Sequence, residues 1–348
     1  MSDLIDRLTT AALAGQHLTR SEAADVFAEI MSGCLTDPQI ERLLAALADK
    51  GEVVDEIVGA AEAMRRHVLT IECADINAID TCGTGGDGIS TFNVSTAAAI
   101  VAAGAGATVA KHGNRTNTRK SGSAEVMRAL GVNIDAPPEV VARCIREAGI
   151  GFLFAAQLHP AMKHALAARK NLGRRTILNL LGPLTNPAGV RRQVVGVASA
   201  GLLNKIAEAL GELGAVHAVI VHGHGGICDF SISGTSHFVE LRDGRLQAGT
   251  ISPEDVGLIS APIEAVLTDS PQASADVIRA LLAGQAGPCR DCTLLNAAAA
   301  LVVAGVASSF ADGVTRAAVA LDSGAAARKL ALLVETTSQR KGDARAEP

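Results

Sequence analysis

The segment Asp80-Thr-Cys-Gly-Thr-Gly-Gly-Asp-Gly88 follows a short apolar run and leads through Ser90-Thr91 to Asn93-Val-Ser-Thr96, where an alanine-rich stretch begins. An apolar strand, a glycine-rich polar loop and an apolar helix in this order predict the first unit of an α/β domain. Glycines let backbone N–H groups approach a ligand closely, and a helix N-terminus with free N–H groups attracts anions. We therefore interpret residues 93–96 as a pyrophosphate-binding helix N-terminus.

A second polar loop, Lys111-His-Gly-Asn-Arg-Thr-Asn-Thr-Arg-Lys-Ser-Gly-Ser123, repeats this arrangement after the next apolar run. Its cations are interleaved with glycine and asparagine, which favours a ligand-facing loop over a solvated basic turn. Lys111 at a strand end would reach a phosphate as a point charge. Two phosphate-binding loops so close in sequence suggest a ligand with phosphate at both ends.

The spacing of Gly83, Gly85 and Gly88 also satisfies the G-x-G-x-x-G pattern of dinucleotide-binding folds. That fold places an acidic residue about 20 residues further on, where it holds the ribose. Here the next strand ends in Lys111-His112 instead. This difference disfavours a dinucleotide site.

The composition argues against several classes of function. The 348 residues are 48% apolar, contain no Trp and no Tyr, and carry a formal net charge of −5. Without aromatic stacking platforms or an overall positive charge, we expect neither nucleic acid nor a membrane as a partner. The apolar stretches near 97–110 and 297–307 are too short and too rich in small residues to span a bilayer.

The seven cysteines are odd in number and scattered, and the chain opens without a secretory signal pattern. We therefore expect a cytoplasmic protein with reduced thiols. Cys289-Arg-Asp-Cys292 is a lone C-x-x-C, which we assign to a loop. Metal or redox use of this pair is the less favoured alternative.

Residues 1–72 carry helix signals throughout. Capping boxes at Thr19-Arg-Ser-Glu22 and Thr36-Asp-Pro-Gln39 predict a domain of three or four helices, whose outer apolar face could form a dimer interface. Residues 160–182 are amphipathic and are expected to join this helical domain. The charged residues 339–348 are expected to form a flexible tail.

Residues 73–338 alternate between strand and helix patterns, which predicts an α/β domain with a mainly parallel central sheet flanked by helices. Candidate strands are 78–81, 108–111, 151–155, 194–198 and 218–221. Candidate helices are 95–103, 123–130, 138–148, 200–213, 273–283, 294–304 and 310–323. Asp243-Gly244, between short apolar runs, predicts a β-hairpin turn.

Together these segments closely resemble the anthranilate phosphoribosyltransferase family. The matching segments are 80–88, 91–96, 111–115, 120–123, 159–163, 175–177, 179, 181–187 and 252–255. The resemblance implies that phosphoribosyl pyrophosphate (PRPP) reacts with anthranilate to give N-(5-phosphoribosyl)anthranilate and pyrophosphate, with Mg²⁺. Separately, the apolar face of the helical bundle leads us to expect a homodimer joined through the helical domain.

Carried over by position, the resemblance assigns the phosphoribosyl donor to Gly83, Gly86, Asp87, Thr91, Asn93, Val94, Ser95, Thr96, Lys111, His112, Gly113, Asn114, Arg115, Thr118, Arg119 and Ser123. Anthranilate would contact Gly83, Asn114 and Arg169, the last by pairing with its carboxylate. An arylamine is already a neutral nucleophile and can lose its proton after attack. No residue is therefore assigned as a general base, and positioning carries much of the expected catalysis.

The expected magnesium ligands are Ser95 and Asp229. Relatives usually carry an Asp-Glu pair where this chain has Cys228-Asp229. Because Mg²⁺ prefers oxygen to a thiol, we expect one metal to bind more weakly or not at all. In the family this stretch of the loop is typically made of small residues and is rich in serine, so Arg119 is an added charge. We expect Arg119 to replace part of the missing metal charge at the pyrophosphate.

Other functions stay open at this point. Residues 155–158 depart from the family near the expected acceptor site, which allows a phosphoribosyltransferase with a different aromatic acceptor. Pyrimidine nucleoside phosphorylases share the architecture, although they lack the motifs at 111–115 and 182–187. The altered metal pair also allows a non-catalytic member that binds nucleotides or nucleic acid.

Overall fold

The computed structural model describes residues 2–75, 77–116 and 120–339. Thr118, Arg119 and nearly all of the expected tail lie outside these ranges. The described part consists of an amino-terminal helical bundle followed by an α/β unit built on one seven-stranded sheet. Both parts of the predicted fold class are confirmed.

Four helices open the chain: α1 (Ser2–Leu13), α2 (Arg20–Met31), α3 (Asp37–Lys50) and α4 (Val54–Arg65). The predicted capping box at α2 is present, because Glu22 N donates to Thr19 Oγ1 at 3.2 Å and Thr19 N donates to the Glu22 carboxylate at 3.1 Å. The fully buried Glu56 carboxylate accepts hydrogen bonds from Leu18 N at 2.8 Å, Val53 N at 3.0 Å and Lys50 Nζ at 2.7 Å. One carboxylate thus joins the start of α4 to the end of α3 and to the segment before α2.

The sheet contains β1 (Ile79–Gly83), β2 (Val109–Gly113), β3 (Ile150–Phe154), β4 (Arg192–Gly196), β5 (His217–His222), β6 (Ser236–Arg242) and β7 (Arg245–Ile251). Its spatial order is β3-β2-β1-β4-β5-β6-β7, and only the pairs β5–β6 and β6–β7 are antiparallel. The predicted hairpin turn is confirmed, since Asp243 and Gly244 have φ values of 49° and 76° and join Arg242 to its partner Arg245.

Helices cover both faces of the sheet. The helices that follow the bundle are α5 (Val94–Gly104), α6 (Ser123–Ala129), α7 (Pro138–Ala148), α8 (Ala155–Leu158), α9 (Leu166–Leu172), α10 (Leu181–Leu184), α11 (Leu203–Glu212), α12 (Pro271–Leu282), α13 (Pro288–Ala304), α14 (Phe310–Asp322) and α15 (Ala325–Ser338). Within the described ranges, none of these or the amino-terminal helices combines the length and apolar character of a membrane span.

The helices differ from the sequence-based expectations in three places. Cys289 and Cys292 lie in the first turns of α13 and not in a loop, because Pro288 starts that helix at the position where proline is best tolerated. The sequence patterns also missed α15, whose Leu330 and Leu333 pack into the main core. The predicted helix at 200–213 begins as a 3₁₀ turn at Ala200–Leu202 and continues as α11.

The segment between β3 and β4 packs against the amino-terminal helices. Ala165, Ile177 and Leu181 share one hydrophobic core with residues of α2, α3 and α4. At the surface of this contact Arg174 pairs with Asp49 at 2.6 Å. The segment therefore links the bundle to the sheet.

The order of the strands determines where loops meet. From β1 the chain adds β2 and β3 on one side, and it then places β4 and β5 on the other side of β1. In open α/β sheets, ligands bind beyond the carboxyl ends of the strands where the order reverses in this way. The loops after β1, β2, β4 and β5 all leave at this edge.

Candidate active site at the carboxyl ends of the strands

The loop after β1 ends in an unusual backbone turn at the start of α5. Asn93 is in the left-handed region, with φ 59° and ψ 58°, and it is the residue before the first turn of α5. Thr96 Oγ1 donates to Asn93 Oδ1, and Thr96 is fully buried. Thr96 therefore holds Asn93 in place, while the buried Val94 can offer a ligand only its backbone N–H.

Two long-range contacts fix the middle of this loop. Arg175 Nη1 donates to Gly86 O at 3.5 Å, and a Cβ at Gly86 would lie 2.9 Å from that nitrogen. The Asp87 carboxylate accepts hydrogen bonds from Ile89 N at 3.3 Å and from Cys228 N at 3.0 Å. Our site assignment missed Arg175, although the motif Arg175-Thr-Ile had marked the segment.

Lys111 lies inside β2 and is buried rather than extended from a strand end. Its side chain is 1% exposed, and Nζ donates to Thr81 O and to Ser95 Oγ, the latter at 3.3 Å. Burial lowers the pKa of Lys111, and the nearby Asp80 and Asp229 carboxylates partly offset that effect. In this arrangement the ammonium group lies between β1 and the first turn of α5.

The described residues of the second loop lie around the end of β2. Gly113 allows a close approach, since a Cβ there would lie 2.4 Å from Ser123 Oγ, at the start of α6. Ser123 Oγ donates to Asn114 O at 3.3 Å. The exposed Arg115 guanidinium lies 5.5 Å from the centre of the Phe154 ring.

His112 forms a buried pair with His159. His112 Nδ1 lies 3.1 Å from Gly182 O, and the two Nε2 atoms lie 3.2 Å apart. A carbonyl can only accept, so Nδ1 of His112 carries the proton and its Nε2 accepts from His159. His159 Nδ1 is then a buried acceptor without a partner among the described residues.

Burial keeps both imidazoles of this pair neutral. It lowers the pKa of His112 to about 3 and that of His159 to about 4, because a charged ring loses solvation there. His112 is oriented towards the segment between β3 and β4, since its hydrogen-bond partners belong to that segment.

The structure brings three of the expected metal-site residues together from distant parts of the chain. Ser95, Cys228 and Asp229 line one small cavity of about 10 Å³ next to β1. A Cβ at Gly196 would lie only 1.7 Å from Cys228 O, so the end of β4 contacts the backbone of this loop directly. Within residues 2–75, 77–116 and 120–339, no three His, Cys, Asp or Glu side chains form a metal cluster.

The expected acceptor residues differ in their surroundings. Asn114 is exposed, and its Oδ1 accepts a hydrogen bond from Arg115 N at 2.8 Å. Arg169 is half-buried on α9, and burial lowers its pKa. In the described part of the chain its guanidinium has no hydrogen-bond or ion-pair partner, so it can pair with a ligand carboxylate.

A larger cavity, of about 460 Å³, lies at the opposite edge of the sheet. Arg192 and His217, at the amino ends of β4 and β5, line it together with Arg316. None of the expected site residues contributes to it. The larger cavity is therefore separate from the candidate active site at the carboxyl ends of the strands.

Comparison with known proteins gives consistent similarities over almost the whole chain. Residues 75–327 match the α/β domain of a glycosyl transferase family, and residues 3–68 match the helical bundle domain of a glycosyl transferase family. Anthranilate phosphoribosyltransferase from Anaeromyxobacter sp. strain K is 51% identical over 335 residues, which cover 96% of this chain and 99% of the relative.

Solved structures show the same similarity. The crystal structure of anthranilate phosphoribosyltransferase from Thermus thermophilus has a TM-score of 0.91 and 41% identity, covering 95% of this chain and 99% of the other. The enzyme from Saccharomyces cerevisiae in complex with PRPP and Mg has a TM-score of 0.89 and 27% identity, covering 97% and 99%. The yeast enzyme is also known in complex with 4-fluoroanthranilate.

The neutral histidine pair predicts a specific dependence of stability on pH. An unfolded histidine has a pKa of about 6.5, so below this pH the unfolded chain binds protons that folded His112 and His159 exclude. The stability that the pair contributes is present above about pH 6.5 and is lost as pH falls towards 4.

We expect His159→Gln to reduce the drop in melting temperature between pH 7.5 and pH 5, and the exposed His224→Gln to leave that drop unchanged. Equal drops in the wild type and His159→Gln would contradict the assignment.

Proposed function

The chain belongs to the glycosyl transferase family that includes the anthranilate phosphoribosyltransferases, and we propose from this premise that it transfers the phosphoribosyl group of PRPP to anthranilate. The products are N-(5-phosphoribosyl)anthranilate and pyrophosphate. The observation that carries this function is the convergence of two glycine-rich loops with Ser95 and Asp229 at one edge of the sheet.

The donor occupies the crevice beyond β1 and β2. Its pyrophosphate lies at the N-terminus of α5, which has no side-chain cap in the described structure, and beside the Ser95 hydroxyl. Arg115 supplies positive charge from the second loop. These groups stabilise the negative charge that develops on the leaving pyrophosphate as the bond to C1 of the ribose breaks.

The residues present fit a magnesium ion that is bound mainly through its substrate. Mg²⁺ commonly uses one or two protein carboxylates and completes its shell with phosphate oxygens and water. Asp229, 7% exposed, and the Ser95 hydroxyl line the same cavity and would hold the ion. When bound, Mg²⁺ neutralises charge on the donor's pyrophosphate.

The acceptor lies on the side of the second loop that faces the segment between β3 and β4. Arg169 binds the anthranilate carboxylate, for which a planar guanidinium offers two parallel hydrogen bonds. Asn114 contacts the same molecule. The amine attacks C1 as a neutral nucleophile, so catalysis rests on holding the two substrates in line.

The chain acts as a cytoplasmic homodimer in this proposal. Leu13 on α1 is 64% exposed and Leu166 on α9 is 56% exposed, and both lie in the part of the molecule formed by the helical bundle and its attached segment. A second copy would cover these apolar side chains. In the described part of the chain, which includes all seven cysteines, no two of them form a disulfide bond, as a reducing compartment requires. Light scattering should give twice the chain mass of 35.4 kDa, and a single chain mass would exclude the dimer.

Arg169 provides a direct test of the function. With PRPP and Mg²⁺ present, we expect the wild type to consume anthranilate, measured as a decrease in its fluorescence, and to release pyrophosphate. Arg169→Ala should raise the KM for anthranilate about tenfold or more and leave the KM for PRPP near its wild-type value. The reason is that the substitution removes a charge-assisted ion pair with the acceptor and no contact with the donor. The exposed neighbour Lys170→Ala serves as the matched control. Turnover of another aromatic amine but not anthranilate would contradict the substrate assignment.

Cys228 is expected to limit magnesium binding. Cys228→Asp places an oxygen ligand where the thiol stands, so half-maximal activity should need about tenfold less Mg²⁺, whereas Cys228→Ala, which adds no oxygen ligand, should differ little from the wild type. Calorimetric titration of Mg²⁺ in the presence of pyrophosphate measures the same change without turnover. An unchanged magnesium requirement in Cys228→Asp would show that this position does not contact the ion.

A further inference from the structure

Residues 266–274, which we term the loop clamp, bind the loop after β1 along its backbone. Phe92 N donates to Val266 O at 3.0 Å, and Thr268 N donates to Ser90 O at 2.9 Å. Between them Thr91 and Leu267 form an antiparallel bridge. The clamp thus holds the loop immediately before Asn93 and the N-terminus of α5.

The same clamp holds the loop after β2 through side chains. Ser274 Oγ lies 3.1 Å from Ser121 Oγ and 2.8 Å from Thr268 Oγ1, which makes a chain of three hydroxyl groups. Ser274 is fully buried and Ser121 is 3% exposed. Lys120 N donates to Ser90 Oγ at 3.1 Å, so the two loops also contact each other.

Ser274 is the central member of this chain. A hydroxyl has one donor and two acceptor positions, so it can bind Ser121 and Thr268 at the same time. Removing it would leave the Thr268 hydroxyl, in the clamp, and the Ser121 hydroxyl, in the second loop, without this partner. The Ser121 hydroxyl is buried. A buried polar group without a partner is unfavourable, so Ser121 would shift or attract water.

We propose that Ser274 is a positioning residue for the phosphoribosyl donor. Its hydroxyl couples the two donor loops, because one of its partners belongs to the second loop and the other to the clamp that binds the first. Polar, glycine-rich loops have many accessible conformations, and a loop that is already ordered costs less entropy when the ligand binds. The proposal rests on the proposed function for the identity of the ligand.

The helix that carries Ser274 also provides a matched control. Ser270 caps the start of α12, and its Oγ accepts a hydrogen bond from Ala273 N at 3.2 Å. Its loss weakens the helix N-terminus but removes no hydroxyl contact to the second loop. A purely structural role for Ser274 would make the two variants equivalent.

The test compares Ser274→Ala with Ser270→Ala in the full chain. We expect Ser274→Ala to raise the KM for PRPP about tenfold with little change in the KM for anthranilate, and Ser270→Ala to change neither by more than about twofold. Without any ligand, amide hydrogen exchange should accelerate in residues 88–93 and 120–123 of Ser274→Ala only. Ser121→Ala should reproduce both effects, and Ser121→Ala combined with Ser274→Ala should add little to either.

Three results would overturn the proposal: unchanged loop exchange in Ser274→Ala, equal effects of both serine variants, or fully additive effects at Ser121 and Ser274. If Ser274→Ala does not fold, the comparison of Ser121→Ala with Ser270→Ala tests the proposal instead. Loop exchange is measured without turnover, so it distinguishes failure of this inference from failure of the proposed function. A wild type that does not convert anthranilate would contradict the proposed function alone.

Discussion

A single buried carboxylate connects the parts of the molecule on which the site depends. Asp80 in β1 is fully buried and accepts hydrogen bonds from His112 N at 3.0 Å and from Asn186 Nδ2 at 2.8 Å. Asn186 also donates to Ala110 O at 2.9 Å. Burial raises the pKa of Asp80, and the nearby Lys111 ammonium opposes this. β1, β2 and the turn before β4 are therefore fixed relative to one another before any substrate arrives.

Close backbone contacts extend this arrangement to the loops. Gly196 brings the end of β4 against the backbone of Cys228, and Thr84 N donates to Gly196 O at 2.8 Å. A side chain at Gly196 would push these segments apart. The site is thus a set of loops held by main-chain contacts at the carboxyl edge, where the strand order reverses.

Much of the fold follows from local patterns. The five predicted strands and the starts of α2 and α3 depend on apolar periodicity and capping residues, which act within a few positions in the chain. The patterns failed at Cys289–Cys292, because α13 begins at Pro288 and not at the predicted residue 294. The patterns also missed Arg175 and Ser274. These residues act through hydrogen bonds to Gly86 and Ser121, respectively, which are distant in sequence.

The sequence by itself determined the chemistry of the two loops: glycines for close approach, hydroxyls at a helix start and cations near phosphate. Only the tertiary structure decided how those groups are presented. It buries Lys111 beside Thr81, keeps His112 neutral against His159, and joins both loops through residues 266–274. The physical reason is that burial and hydrogen bonding across the sheet depend on residues far apart in the chain, which local patterns do not encode.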